Sequence, residues 1–486
     1  MNNQKNSTGR LWPVVIFCIL SLLLVSCKTA SPAGDSAVNS TGAPAGESSA
    51  AQEASAETPA EASAEESAAQ SADTSAAAES QNGGSESADA QAGESAEAQG
   101  TESQSSNASS EAAEAESQPE PEVYGYGLFG GNPYEGGGLA AITPEQEAAI
   151  RQMISEMTLE EKVGQMFFAR FPGGTADPYS PAQAQAVVDQ FHVGGFVLFK
   201  EDFNVDSDTA IIDKLDAVQA SSDIPLLMAV DEEGGYVNRV SPYFRDSEFL
   251  SPRNAYAWGG EGVLMSEIYE RCELLGDLHL NMNLYPVCDL SDNPEDFIYN
   301  RAFSGDPDTA ADYIAEVVKL MQGYHMACSL KHFPGYGNNV DTHTGIAVDE
   351  RDRETFYAQD FRPFAAGIAQ GAQTVMVSHN IVKAFDAEFP ASLSPEMHRV
   401  LREDLGFEGV IVTDDLGMGA VAEYTDGRVA VQAVIAGNDL LITKEYETQY
   451  QEVLTAVNDG VITEQRIEES VYRILRMKVS MGLLKL

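Results

Sequence analysis

Apolar residues in this chain gather into short runs, each followed by polar or glycine-rich residues and then by a helical stretch. The runs are QMFFA (165–169), GGFVLF (194–199), IPLLMAV (224–230), LNMNLYPV (280–287), ACSLKH (327–332), TVMVSH (374–379), GVIVT (409–413) and DLLIT (439–443). Near-continuous apolar strands are what a sheet buried on both faces requires. Strands alternating with helices indicate parallel pairing. Eight such units predict an α/β fold closed as a (β/α)8 barrel of the TIM type; an open doubly wound sheet would suit fewer strands. The globular pattern starts at Thr143-Pro144-Glu145-Gln146, which offers an N-cap, a proline at the first helical position and a capping-box glutamine. Residues 143–486 are therefore expected to form one barrel domain.

The chain before Thr143 has another character. Residues 123–142 are rich in glycine and tyrosine. They include Gly125-x-Gly127-x-x-Gly130, which matches a dinucleotide fingerprint but has no strand before it and no helix directly after it. They read as a lead-in segment. Residues 28–122 are Ala, Ser, Glu, Gln and Gly, with 19 acidic residues and one lysine. Such a stretch cannot bury enough apolar surface to offset its ordering entropy, so a disordered tether is expected. Residues 1–27 carry Lys5 and Arg10, the run LWPVVIFCILSLLLV and the ending Leu24-Val25-Ser26-Cys27. That is the pattern of a signal peptide. Its ending resembles the bacterial lipobox, which implies lipidation at Cys27 and an extracytoplasmic, membrane-anchored chain.

Charge narrows the partners. The formal net charge is −48, and the tether supplies −18 of it. Nucleic-acid binding needs a basic footprint and is not expected. Adhesion to an anionic membrane other than through the lipid is equally disfavoured, and a monomer is the expectation. Apart from Cys18 and Cys27, only Cys272, Cys288 and Cys328 remain, without C-x-x-C spacing. They read as small buried residues rather than a disulfide framework.

Titratable residues recur where the runs end. Asp231 follows the third run, Asp289 the fourth and Asp414 the seventh; Lys331 and His332 close the fifth and His379 the sixth. The C-terminal ends of barrel strands form one rim, so these groups converge on one polar pocket. The stretch KHFPGYGNNVDTHTG (331–345) adds Asp341 and holds two of the chain's seven histidines, His332 and His343. There is no P-loop, H-E-x-x-H or G-x-S-x-G. Asp231, His332, His343 and Asp414 are metal-ligand types, but no close His–His or His–Glu pair has ligand spacing and Lys331 would oppose a cation. No metal and no cofactor are expected. Glycoside cleavage suits the set better: one group attacks or stabilises the oxocarbenium-like carbon, and another protonates the leaving oxygen. Asp414 can be the nucleophile, with Asp415 as the competing choice. His343 can be the acid, with Asp341 orienting and charging its imidazole. The glycines of GYGNN and THTG would let this loop approach a sugar closely.

The segments MTLEEKVGQMFF, VGGFVLF, DEEGGYVNRV, NRAFSGDP, KHFPGYG, DTHTG, FPASLS, LGFEGVIVTDDLGMGA and RILRMK together resemble the N-terminal barrel of family 3 glycoside hydrolases. The closest branch is the single-domain β-N-acetylhexosaminidases. The resemblance implies that Asp414 is the nucleophile of a retaining mechanism, that His343 is the general acid/base and that Asp341 is its dyad partner. It implies sugar-binding roles for Asp231, Arg239, Arg301, Lys331 and His332. Two positions depart from the family pattern: Tyr236 stands where arginine is common, and Tyr336 where a second histidine is common. Both are expected to line or shape the pocket and bear on specificity. The D-T-H loop favours an exo-acting β-N-acetylhexosaminidase. So do the roughly seventy residues that follow Asp414, room for one β/α unit and a terminal helix. Its substrates would be cell-wall fragments or chitooligosaccharides. A β-glucosidase or broad β-glycosidase, an N-acetylglucosaminide phosphorylase and an inactive surface sugar-binding protein are the alternatives.

Overall fold

The computed structural model describes residues 140–172, 180–339, 347–418, 421, 424–425 and 427–486. The leader with Cys27, the tether, most of the lead-in, and Asp341 and His343 lie outside the described residues.

Ten strands are present among them: β1 (Phe167–Arg170), β2 (Gly195–Leu198), β3 (Leu227–Val230), β4 (Met282–Asn283), β5 (Ala327–Phe333), β6 (Val348–Asp349), β7 (Thr374–Val377), β8 (Ile381–Val382), β9 (Val410–Thr413) and β10 (Leu441–Thr443). Eight form one parallel sheet in the order β10-β1-β2-β3-β4-β5-β7-β9. A parallel bridge between Val412 and Leu440, with Thr413 N donating to Leu440 O at 3.0 Å, joins the last strand to the first. The barrel expected from the eight runs is thus the observed fold, with each run supplying one strand. Helices such as Ala182–Phe191, Asp208–Gln219, Pro307–Gly323 and Phe361–Ala369 separate the strands. Because both faces of the sheet are covered, β2, β3, β5, β7, β9 and β10 are buried along their whole length.

Local signals act as expected at the entry. Gln146 N donates to Thr143 Oγ1 at 3.2 Å and Thr143 N to Gln146 Oε1 at 2.9 Å, closing the capping box on helix Pro144–Glu156. The GGF run is glycine for a packing reason: a Cβ on Gly194 would lie 2.1 Å from Gln165 O, and one on Gly195 2.3 Å from Leu227 O.

The structure departs from the reading in two places. The fourth run yields only the two residues of β4, because Tyr285 N turns back to Asn283 O at 2.8 Å and Pro286 has no N–H to continue the ladder. A small parallel ribbon, β6 with β8, pairs Val348 with Ile381 and Asp349 with Val382 and has no counterpart in the apolar pattern. Two residues are too few to show a period. The three cysteines are free and buried, as read.

Candidate active site

The site begins where β3 ends. The next ten residues, DEEGGYVNRV, fold back on themselves with Gly234 paired antiparallel to Val237. Gly234 and Gly235 take φ values of 91° and 67°, the left-handed region glycine allows. Glu232 is buried and holds this turn from inside. Its Oε2 accepts from Arg239 N at 2.6 Å and Val240 N at 2.7 Å, and its Oε1 from Ser241 N at 3.1 Å. Asn283 of β4 clamps the Glu232 backbone on both sides, accepting from its N–H at 3.0 Å and donating to its C=O at 2.9 Å. With Glu232 fixed, Glu233 is 2% exposed and becomes the hub of the site.

Arg301 reaches Glu233 with two parallel hydrogen bonds, Nε to Oε2 at 2.9 Å and Nη2 to Oε1 at 2.7 Å. Lys331 Nζ lies 2.6 Å from the same Oε1 and 2.5 Å from Asp231 Oδ1. Burial alone would raise the Glu233 pKa, but the Arg301 and Lys331 cations hold it well below the ordinary carboxylate range. For Lys331, burial works to lower the pKa, and Asp231 and Glu233 outweigh it, leaving the ammonium raised.

On the other side of Arg301, its Nη2 faces His332 Nε2 at 2.9 Å. A guanidinium only donates, so Nε2 accepts and the ring proton sits on Nδ1, which donates to Asp289 Oδ2 at 2.8 Å. Asp289 also accepts from His332 N at 3.0 Å and Tyr336 N at 2.7 Å. The result is one continuous polar chain, Asp289–His332–Arg301–Glu233–Lys331–Asp231. Its most exposed side chains are Asp231 at 19% and Arg301 at 14%. These two side chains are therefore the members of the chain that a polar ligand could reach.

Asp414 follows β9 on the same rim. Its N–H donates to Val377 O at 3.0 Å, and its Oδ1 accepts from Asp415 N at 2.8 Å. The neighbouring Asp415 is spent on the loop: its Oδ1 accepts from Gly417 N at 2.8 Å, and burial raises its pKa. His379 is buried, with Nε2 donating to Asp415 O at 3.1 Å and Nδ1 2.7 Å from Ser392 Oγ. It supports the rim and holds the Asp414–Asp415 turn in place.

The structure therefore brings Asp231, Arg301, Lys331 and His332 into one network and sets Asp414 on the same rim. Arg239 stands apart from it: its side chain is partly buried, and its Nε is buried without a hydrogen-bond partner. Tyr236 is 78% exposed at the tip of the DEEGG turn. Tyr336, by contrast, does not line the pocket: it is buried and packs edge-on against the His332 ring, 5.1 Å between centroids. The GYG glycines also differ from expectation. Space above Gly335 is filled by Asp360, whose Oδ1 lies 2.6 Å from where a Cβ would sit, and above Gly337 by Arg351, whose Cζ lies at 2.6 Å. These glycines admit protein side chains, not a sugar. Glu232, Glu233 and Asn283 were not singled out from the sequence, although DEEGG after an apolar run marks the place where two of them fall.

The chain belongs to glycosyl hydrolase family 3: the model of the glycosyl hydrolase family 3 N terminal domain matches residues 158–477. It is a glycosidase with a carbohydrate substrate, as the motif resemblance implied. Among characterised relatives, it is 37% identical over 253 residues to a beta-hexosaminidase of Stenotrophomonas maltophilia (strain K279a), covering 51% of this chain and 74% of that protein. It is 38% identical over 235 residues to a beta-hexosaminidase of Xylella fastidiosa (strain 9a5c), covering 47% of this chain and 69% of that protein. A solved structure, a glycoside hydrolase family 3 beta-N-acetylglucosaminidase from Paenibacillus sp. str. FPU-7, matches with a TM-score of 0.62 and 30% identity, over 68% of this chain and 65% of that one.

Proposed function

We propose that the protein is a retaining, exo-acting β-N-acetylhexosaminidase that removes terminal N-acetylglucosamine from cell-wall fragments or chitooligosaccharides. The observation that carries the reading is the buried Asp289–His332–Arg301–Glu233–Lys331–Asp231 chain on the rim that also bears Asp414. Such a chain presents fixed donors and one accessible carboxylate to sugar hydroxyls, on the same rim as the Asp414 carboxylate proposed to attack. The beta-hexosaminidase relatives support the choice of sugar.

In the proposed mechanism, the Asp414 carboxylate attacks the anomeric carbon as the glycosidic C–O bond breaks. The His343 imidazolium gives its proton to the departing oxygen, with the Asp341 carboxylate stabilising the imidazolium charge. Neutral His343 then takes a proton from water as the water oxygen attacks the same carbon and Asp414 departs. Two displacements at one carbon leave its configuration unchanged. Asp414 rather than Asp415 is the proposed attacker, because it directly follows β9 and is the position the motif resemblance assigns to the nucleophile. As His343 must carry a proton to act as acid, activity should decline as pH rises past the imidazole range.

Paired assays of 4-nitrophenyl β-N-acetylglucosaminide and 4-nitrophenyl β-glucoside, with and without phosphate, test the reading. The N-acetyl substrate should be preferred by at least about tenfold, with no phosphate dependence. A preference for glucoside, or phosphate-dependent turnover, would overturn it. We further propose that Cys27 is lipidated and anchors the chain outside the cytoplasm; metabolic labelling with a palmitate analogue, lost in Cys27→Ala, checks this.

A further inference from the structure

The helix Pro252–Asp277 is interrupted at Gly259 (φ −149°, ψ 20°) and Gly260 (φ 70°, ψ −156°), so Pro252–Trp258 stands as a separate piece. This piece is fastened to both loops that carry the reachable members of the polar chain. Just before it, Leu250 and Ser251 pack on the turn after Glu233: a Cβ on Gly234 would lie 2.0 Å from Leu250 O, and one on Gly235 2.8 Å from Ser251 Cβ. Gly235 N also donates to Phe249 O at 2.8 Å. On the other side, Arg253 donates to Ser291 O and to Asp292 Oδ1, the latter at 3.3 Å, with its guanidinium 4.4 Å from the centre of the Tyr299 ring. Tyr256 packs edge-on against Phe303 at 5.5 Å between centroids, two residues beyond Arg301.

Held in this way, the piece presents a hollow. Leu250, Asn254, Ala257 and Trp258 line a surface concavity of about 540 Å³, within the roughly 300–1,000 Å³ of small-ligand sites. Trp258 is 76% exposed. With Tyr236, which directly follows Gly235, it is one of the two most exposed large apolar side chains among the described residues. Asn254 is exposed in the same hollow, and its side-chain amide has no hydrogen-bond partner among the described residues.

A pyranose matches this surface. One of its faces is made of C–H bonds, which can cover an indole left in water, and its edges carry hydroxyl and acetamido groups, which an amide can pair as donor or acceptor. The lining holds no charged side chain, although the chain as a whole carries −48, so the fit is to a neutral ligand. A protein partner would need a far larger face, about 20–30 residues a side. An oligosaccharide whose terminal unit is held by Asp231 and Arg301 lays its remaining units on the surface around them, and this piece is anchored to both of their loops.

We infer that Trp258 and Asn254 form an aglycone subsite for the neutral sugar units beyond the one removed, such as those of a chitooligosaccharide. The inference rests on the hexosaminidase reading and deepens it, and the test separates the two.

The full-length protein should be assayed on N-acetyl-β-glucosaminyl fluoride, whose leaving group is a single atom, and on chitotetraose. In Trp258→Ala the ratio of kcat/KM on chitotetraose to kcat/KM on the fluoride should fall about tenfold, and Trp258→Tyr, which keeps an aromatic face, should restore most of it. An unchanged ratio would overturn the subsite. Binding is read separately, because the chain has two tryptophans, Trp12 in the leader and Trp258. In Asp414→Asn, used to stop turnover, chitotetraose should move the tryptophan emission to shorter wavelength, and the same concentration of N-acetylglucosamine should leave it in place. The shift should vanish when Trp258→Phe is added. An emission that does not respond to chitotetraose would overturn the inference. If the parent protein turns over neither substrate, the hexosaminidase reading falls, and the emission alone decides whether a neutral glycan seats on Trp258.

Discussion

Glu233 and Arg301 are joined by two parallel hydrogen bonds of 2.9 and 2.7 Å, and Lys331 adds a third contact to the same carboxylate at 2.6 Å. One buried anion thus holds both cations in place. Removing it leaves Arg301 buried without its carboxylate and Lys331 with Asp231 alone, and a buried pair that loses one member costs about 3–5 kcal/mol. Glu233→Gln, which keeps the shape, should cost less and still disturb the aim of Arg301 and Lys331. The expected result is a KM raised about tenfold or more with a smaller change in kcat, since binding contacts are affected and the attacking group is not. Steady-state kinetics on the N-acetylglucosaminide decide it, and an unchanged KM would contradict the role.

The same carboxylate predicts a pH dependence of stability. Its native pKa lies below the ordinary glutamate value of 4.5, because Arg301 and Lys331 outweigh the effect of burial. A depressed carboxylate binds fewer protons in the folded state than in the unfolded one, so its contribution is fully present above pH 4.5 and is lost as pH falls below it. The Tm difference between the parent protein and Glu233→Gln should be constant above that pH and shrink below it. A difference that grows on acidification would reverse the assignment.

Asp414 and Asp415 are neighbours with different surroundings. Asp415 accepts from Gly417 N at 2.8 Å and holds its loop, while Asp414 sits at the rim. Asp414→Asn should lower kcat by about a thousandfold or more with little change in Tm, the loss expected of an absent nucleophile. Asp415→Asn should act mainly on stability, with Tm falling by more than in Asp414→Asn. Full activity in Asp414→Asn would remove it from the mechanism.

Gly195 tests the barrel itself. A methyl group there would lie 2.3 Å from Leu227 O and 2.7 Å from Leu227 Cβ on the adjacent strand. Backbone cannot yield as a flexible side chain can, so Gly195→Ala should destabilise by about 1–3 kcal/mol or prevent folding. Thermal denaturation of the variant checks this, and an unchanged Tm would show that β2 and β3 can separate at little cost.

How much of this was legible depended on the kind of signal. The eight strands could be read because each is an apolar run long enough to stand out, and strand ends in a barrel share one rim. Asp231, Lys331, His332 and Asp414 could therefore be placed on that rim before any geometry was known. Glu233 could not be separated from Asp231 and Glu232, three acids in a row whose directions are set by a turn that Asn283 holds from the next strand. Gly335 and Gly337 looked like space for a sugar, because a glycine does not say which side chain fills the space beside it. Arg351 and Asp360, nine residues apart, show no motif and meet only through the fold around Phe356.

The most direct test of the central claim is to trap the covalent intermediate. The full-length protein would be incubated with a fluorinated N-acetylglucosaminide that forms the glycosyl-enzyme quickly and releases it slowly, then digested and mapped by mass spectrometry. The account predicts one sugar per chain, on the peptide containing Asp414 and specifically on that residue, with no labelling in Asp414→Asn. Turnover with no covalent adduct, or an adduct on Asp415 or another carboxylate, would contradict it.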